Sequence, residues 1–320
     1  MEIGGYFQLE LRNGNEFHSG ALRLNTGRNA FEYILRAKKY SKVYLPYFTC
    51  EAMLEPIKKL NIDVEFYKLD PYFYPAFNIR KIKKGEIFLY TNYFGICTDI
   101  CKKLSKYINN LIIDNSQAFF SKPIDGIDTF YSPRKFFGVP DGSYLYTDSK
   151  IDWKLDQDYS LDRFDDLIGR IEYSAEKFYE KHKQINSLLK NQPIKLMSNI
   201  TKSILQGIDY DYVIFKRQNN YNYLHNILSG INCLNTSLND NDVPLIYPLF
   251  VSNGIELKKI LIKNKIYVAT YWPNVKQWTE QTDYEHQLVD HLVCLPVDQR
   301  INYQNLDFII ELILLNTNTN

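Results

Sequence analysis

The chain has 320 residues, enough to bury a sizeable core and to form two domains or one large domain with an appendage. Its 38 Lys and Arg balance 37 Asp and Glu, and a net charge of +1 excludes a global field that would draw it to nucleic acid or an anionic membrane. No apolar run reaches bilayer length. The five cysteines, Cys50, Cys97, Cys101, Cys233 and Cys294, are too scattered for a zinc site and read as reduced thiols of a cytoplasmic protein.

Residues 1–12 lack the apolar core of a signal peptide, so a soluble cytoplasmic protein is expected. The terminal Asn-Thr-Asn-Thr-Asn is expected to fray. Asn25 or Thr26 is placed to cap a helix that carries Phe31, Ile34 and Leu35 on one face. Gly27 at its start lets the backbone approach a ligand. The free N–H groups and dipole of such a start favour an anion, which makes residues 25–30 a candidate phosphate cup. Most capped helix starts bind only water, and this stretch alone says no more.

Residues 42–46 read as a strand, and 51–60 as a helix that Pro56 kinks or begins. Residues 63–69 and 86–90 are strand-like, and Ile96, Ile100 and Leu104 share a helical face. Residues 111–113 form a short apolar strand that delivers Asp114 at its end. Such alternation predicts an α/β fold with a mostly parallel sheet covered by helices on both faces. Ligands gather at the carboxyl ends of such strands, where Asn92 and Asp114 fall. Asp114 is either a plain helix cap or the partner of a protonated ring nitrogen, with the Gln117 amide available to a neighbouring oxygen.

Strands at 127–131 and 143–147 flank a turn that carries Ser132, Lys135, Gly138, Asp141 and Gly142. Lys135 is either a basic surface residue or an amine held among aromatic rings. In the second case desolvation lowers its pKa and leaves a nucleophile suited to a Schiff base. A phosphate cup, a carboxylate and a lysine are the three handles that pyridoxal phosphate needs. Beyond Asp148 the pattern changes. Residues 161–190 read as helix with a solvated charged face, and 197–228 as helix interrupted near Gly207. Strand–helix alternation resumes at 245–251 (strand), 255–262 (helix) and 266–270 (strand), before a last helix marked by Leu306, Ile310 and Ile313. The expected division is a cofactor-binding domain at 1–160, a helical connection at 161–240 and a small C-terminal α/β domain at 241–320.

Read together, Thr26-Gly27-Arg28-Asn29-Ala30, Pro46-Tyr47-Phe48-Thr49, Tyr93-Phe94-Gly95, Asp114-x-x-Gln117, Ser132-x-x-Lys135, Asp141-Gly142 and Cys294-Leu295-Pro296-Val297-Asp298 resemble, in that order, the motifs of one family. It is the DegT/DnrJ/EryC1/StrS family of pyridoxal-phosphate-dependent, fold-type-I sugar aminotransferases, and the resemblance covers nearly the whole chain. It implies that Lys135 holds the cofactor and shuttles the proton, and that Asp114 keeps the pyridine nitrogen protonated. Gln117 would bond the ring hydroxyl, Ser116 would lie against the ring, and Gly27, Arg28 and Ser132 would grip the phosphate. No metal is implied. The implied substrates are a nucleotide-linked keto-sugar and an amino donor such as glutamate, and the implied assembly is a homodimer.

Three positions depart from the family pattern. Cys50 stands where an aromatic ring often stacks on the cofactor, leaving Phe48 or Tyr93 for that role. Phe130 replaces a common serine five residues before the lysine, and Asn92 stands where His is frequent. Other readings of the same residues are a different reaction on the same cofactor, a regulator or scaffold that keeps the fold, and a nucleotide-sugar-binding protein without pyridoxal phosphate.

Overall fold

The computed structural model describes residues 3–317. Strand β1 (Leu22–Leu24) leads into helix α1 (Gly27–Lys38), which Thr26 caps by accepting from the amide of Asn29 at 3.2 Å. Then come β2 (Lys42–Pro46), the short α2 (Leu54–Lys59) with Pro56 in its first turn, β3 (Asp63–Leu69) and the two-residue β4 (Pro75–Ala76). Strand β5 (Glu86–Thr91), α3 (Thr98–Ser105), β6 (Leu111–Asn115), β7 (Asp128–Tyr131) and β8 (Ser143–Tyr146) complete the first half.

These eight strands form one sheet in the order β1-β8-β7-β6-β5-β2-β3-β4. The central neighbours β3, β2, β5, β6 and β7 run parallel, while β8 and β4 pair antiparallel. Side chains alternate across the sheet, so one strand feeds two cores. Val43, Leu45, Ile87, Leu89 and Ile112 meet Phe31 and Ile34 of α1 on one face. Tyr44, Phe88, Tyr90, Ile113, Tyr131 and Tyr144 fill the other. Burial on both faces is why these strands read as nearly continuous apolar runs. From β2 the order runs to β3 on one side and to β5 on the other. The loops that leave the carboxyl ends of β2 and β5 therefore diverge, and a crevice opens between them.

The second half begins with helices α4 (Asp165–Glu172), α5 (Tyr179–Leu188), α6 (Asn199–Gln206) and α7 (Tyr210–Leu228). Strand β9 (Ile246–Phe250), α8 (Gly254–Lys263), α9 (Tyr284–His291), β10 (Leu292–Pro296) and α10 (Tyr303–Thr317) follow. Strands β9 and β10 pair antiparallel, and Leu249 and Val293 join Leu224, Leu257, Leu306 and Ile310 in a third core. The architecture is the expected one: a mostly parallel sheet with helices on both faces and a smaller C-terminal α/β unit. No helix of the described residues is long and apolar enough to cross a membrane.

Three local expectations differ. The helical stretch at 161–190 is broken, because the chain folds back after Glu172 and stacks Phe178 on Tyr173 at 5.5 Å. Its charges are not all solvated either. Arg163 is buried against Asp158 at 2.8 Å, and Asp166 receives the His182 ring at 2.6 Å. Residues 266–270 form no strand, only a single bridge between Ala269 and Cys294 on the free edge of β10. Of the terminal residues expected to fray, Asn316 and Thr317 close α10, and those after them lie outside the described residues.

Gly169 lets α4 and α5 touch: a Cβ there would stand 2.2 Å from the Phe178 ring. Gly169→Ala is expected to cost about 1–3 kcal/mol, as overpacking does, read from the midpoint of denaturant unfolding.

Candidate active site

Lys135 ends a single 3-10 turn, Pro133–Lys135, between β7 and β8. Pro133 presets the turn, and its carbonyl accepts from the amides of Phe136 and Phe137, both at 2.9 Å. Gly142 closes the loop with φ +114°, where a Cβ would meet Pro133 and Thr201 at 3.0 Å, so a glycine is required. The Gly142 amide donates to the Asn25 carbonyl at 2.6 Å and ties the lysine turn to the start of α1. Beside it, the buried Asp141 carboxylate accepts from Ser160 Oγ at 2.9 Å, Ser198 Oγ at 3.0 Å and the Thr201 hydroxyl. Asp141 is thus a joint that holds α6 and the start of the helical region against the lysine turn.

Lys135 lies deep in the molecule, yet its side chain is open to solvent, as befits a group on the floor of a cleft. Burial pulls the amine pKa below its ordinary value. Cys50 opposes that shift, Arg134 adds to it, and Asp114 opposes it. Asp114 sits in β6 between Thr91 of β5 and Phe130 of β7. Its Oδ1 accepts from the Ser116 amide at 2.8 Å. Burial raises its pKa, against the pull of the Ser116 hydrogen bonds and the Lys135 charge. The two groups are near enough that each moves the other toward its charged form.

The other sequence-predicted residues divide into two groups. Ser116 and Gly27 come together, with Ser116 Oγ 3.5 Å from where a side chain on Gly27 would begin. Phe130 fills the space beside them, at 3.8 Å from the same point. Gln117 is buried; its Oε1 accepts from the Phe94 amide at 2.8 Å, while its Nε2 has no protein partner. Ser132 makes no capping hydrogen bond with its hydroxyl. Arg28 is not free, since its guanidinium pairs with Glu55 at 2.5 Å. Phe48 and Tyr93 are 0% exposed, and the Tyr93 hydroxyl donates to the Phe48 carbonyl at 2.9 Å, so both belong to the core and not to the cleft wall.

Asn92 is spent on structure. Its Nδ2 donates to Asn115 Oδ1 at 3.1 Å and Ser121 Oγ at 3.2 Å, and its Oδ1 accepts from the Cys97 amide. These groups line a hollow of about 430 Å³ on the opposite face of the sheet, and their hydrogen bonds satisfy one another. Among the described residues no group of three His, Cys, Asp or Glu side chains is arranged for a metal.

Sequence reasoning missed the residues that the C-terminal half sends against the lysine turn. Tyr271 lies with its ring 5.5 Å from Lys135 Nζ. Arg217 and Gln299 both donate to the carbonyl of Phe136, the residue after the lysine, at 3.5 and 3.0 Å. None sits in a periodic pattern, and all are more than 80 residues away in sequence, so no local signal could have pointed to them.

No family model matches this chain, and no curated protein does. Solved structures do. A DegT DnrJ EryC1 StrS aminotransferase from Brucella abortus is 15% identical with a TM-score of 0.62, over 94% of this chain and 87% of that one. DesV of S. venezuelae, in complex with a ketimine intermediate, is 14% identical with a TM-score of 0.66, over 94% and 85%. The sugar aminotransferase Spr1654 from Streptococcus pneumoniae, in its PLP form, is 16% identical with a TM-score of 0.63, over 91% and 85%. At these identities the likeness establishes the fold, and this chain has the fold of those aminotransferases along nearly its whole length.

Asp114 also makes a stability signature. Its raised pKa means the folded state holds the proton more tightly than the unfolded chain. That contribution is complete below the ordinary carboxyl pKa and is lost as the pH rises through the raised value. In ligand-free protein, Asp114→Asn should therefore gain stability relative to wild type as the pH rises across that window. Thermal midpoints measured along a pH series check it; a constant difference would contradict the raised pKa.

Proposed function

We propose that this chain is a pyridoxal-phosphate-dependent aminotransferase that takes an amino group from glutamate and delivers it to the keto carbon of a nucleotide-linked sugar. The observation that carries the proposal is the convergence of Asp114 and Lys135 on one cleft at the carboxyl end of a parallel sheet. The residues fit the cofactor. Gln117 offers a buried donor with no protein partner, suited to the ring hydroxyl. The raised Asp114 carboxyl gains most from a cation beside it, as a protonated pyridine nitrogen would be. The start of α1 at Gly27 and the Ser132 hydroxyl suit the phosphate. Arg28 would add its backbone amide, its guanidinium being held by Glu55. The PLP form of the similar Spr1654 structure supports the same reading.

When bound, the cofactor supplies an electron sink for the carbon that loses its proton. Lys135 would hold the cofactor at rest; once freed by the amino donor, its Nζ would take up the proton from the donor carbon and return it on the cofactor side. Its depressed pKa suits this work, since a larger fraction is neutral near neutral pH. Asp114 would keep the ring nitrogen protonated and Ser116 would lie beside the ring, and the loop after β2 brings Cys50 near Lys135. In this reading residues 1–160 form the cofactor-binding domain, 161–240 the connecting helices and 241–320 the small domain. The protein works in the cytoplasm as a homodimer, with no nucleic acid or membrane partner.

Purified protein is expected to be yellow, and borohydride at neutral pH should fix the cofactor on Lys135 in preference to surface lysines. Peptide mapping identifies the labelled residue. Lys135→Ala should lower transamination more than about a hundredfold, the scale of a lost general acid–base group. A protein that stays colourless with added pyridoxal phosphate would refute the assignment. Light scattering at catalytic concentration should give twice the chain mass, and a fully active monomer would exclude the homodimer.

A further inference from the structure

The cleft wall that faces Lys135 comes from a stretch that no motif marks. Tyr271 sets its ring 5.5 Å from the lysine Nζ and packs against Phe94 at 6.0 Å and Trp272 at 5.2 Å. Trp272 stands edge-on to the wholly buried Phe48 at 5.0 Å. Two residues on, Asn274 Nδ2 donates to the Thr49 carbonyl at 3.0 Å. Phe48, Thr49 and Phe94 follow the carboxyl ends of β2 and β5, so both rings are supported by the two loops that open the crevice. Tyr271 and Trp272 nevertheless keep part of their surface exposed, unlike the core rings Phe48 and Tyr93. Burial raises the Tyr271 phenol pKa, so its hydroxyl stays neutral and is no rival base to Lys135.

We infer that Tyr271 and Trp272 form an aromatic platform that binds the sugar ring of the amino acceptor and holds its keto carbon against Lys135; this rests on the aminotransferase reading above. A pyranose has a face rich in C–H bonds that packs on an aromatic ring, while its hydroxyl rim stays in water. Aromatic rings offer that contact over a large area with a polar handle at the edge, and rings already locked by packing lose little freedom on binding. The amino donor, a small dicarboxylate, gains nothing from the electron-rich face of a ring. The platform therefore serves the acceptor half of the reaction and leaves the donor half alone.

The test uses full-length protein with Trp153→Phe and Trp278→Phe, which leaves Trp272 as the single fluorescent tryptophan. Titration with UDP-glucose and dTDP-glucose should change its emission, and free UDP and dTDP should change it less. Trp272→Ala and Tyr271→Leu should weaken nucleotide-sugar binding about tenfold or more by calorimetry, the scale of a lost apolar contact, whereas Tyr271→Phe should bind as wild type. In single turnovers followed by cofactor absorbance, the two weakened variants should lose more rate with the sugar acceptor than with glutamate. Emission that neither nucleotide sugar alters, or alters no more than its free nucleotide does, would overturn the inference. So would a Tyr271→Leu variant with normal sugar affinity but weakened pyridoxal phosphate binding, since the rings would then serve the cofactor. Protein that takes up no pyridoxal phosphate would overturn the aminotransferase reading instead, and the fluorescence titration, which needs no cofactor, would still decide for or against the platform.

Discussion

The arrangement depends most on Arg217, a guanidinium in α7 that is 1% exposed. Among the described residues no carboxylate bonds it. Its NH1 donates to the carbonyls of Pro244 and Leu245 at 3.1 Å, its NH2 reaches the Phe136 carbonyl at 3.5 Å, and its plane lies 4.5 Å from the Phe136 ring. Burial pulls its pKa down to about 10, which still leaves it charged at neutral pH. A buried cation is tolerated where acceptors meet its donors; here two separate segments, 244–245 and the Phe136 carbonyl, supply them, while Nε has no partner among the described residues. One group thereby fixes the lysine turn, the long connecting helix and the entry to β9 in a single register.

The same economy governs the cleft. Asp114 and Lys135 are each shifted away from their charged forms by burial, and each moderates the other. The sheet brings this about, since Asp114 stands near the carboxyl end of β6, among parallel neighbours, where ligands gather in such folds. Alternation then sends Asp114 to the cleft and Asn115 to the opposite face, where it bonds Asn92. Shifting that strand by one residue would exchange the two and abolish the site.

The helix start at Gly27 shows how a site absorbs an altered residue. Phe130 stacks on Phe31 at 6.1 Å and belongs to the α1 core. The Thr26 hydroxyl is occupied within its own turn, and Arg28 is neutralised by Glu55. What remains for an anion there is the helix dipole, the first backbone amides and Ser132, with Arg134 close enough to feel the Arg28 charge.

The amino-acid sequence alone determined the parallel sheet, the strand that carries Asp114, the capped start of α1 and the lysine turn. Each of these depends on residues within about ten positions: apolar runs buried on both faces, a Thr that caps its own helix, and a Pro–Gly frame around Lys135. Only the tertiary structure decided that Arg28 is taken by Glu55, that Phe48 and Tyr93 are core rings, that Tyr271 lies against Lys135, and that Arg217 and Gln299 hold the lysine turn. These outcomes are settled by which distant surfaces meet when the C-terminal half packs across the ends of β2 and β5. A linear pattern records how a segment divides its own faces between apolar and polar; it carries no mark of which partner will cover them.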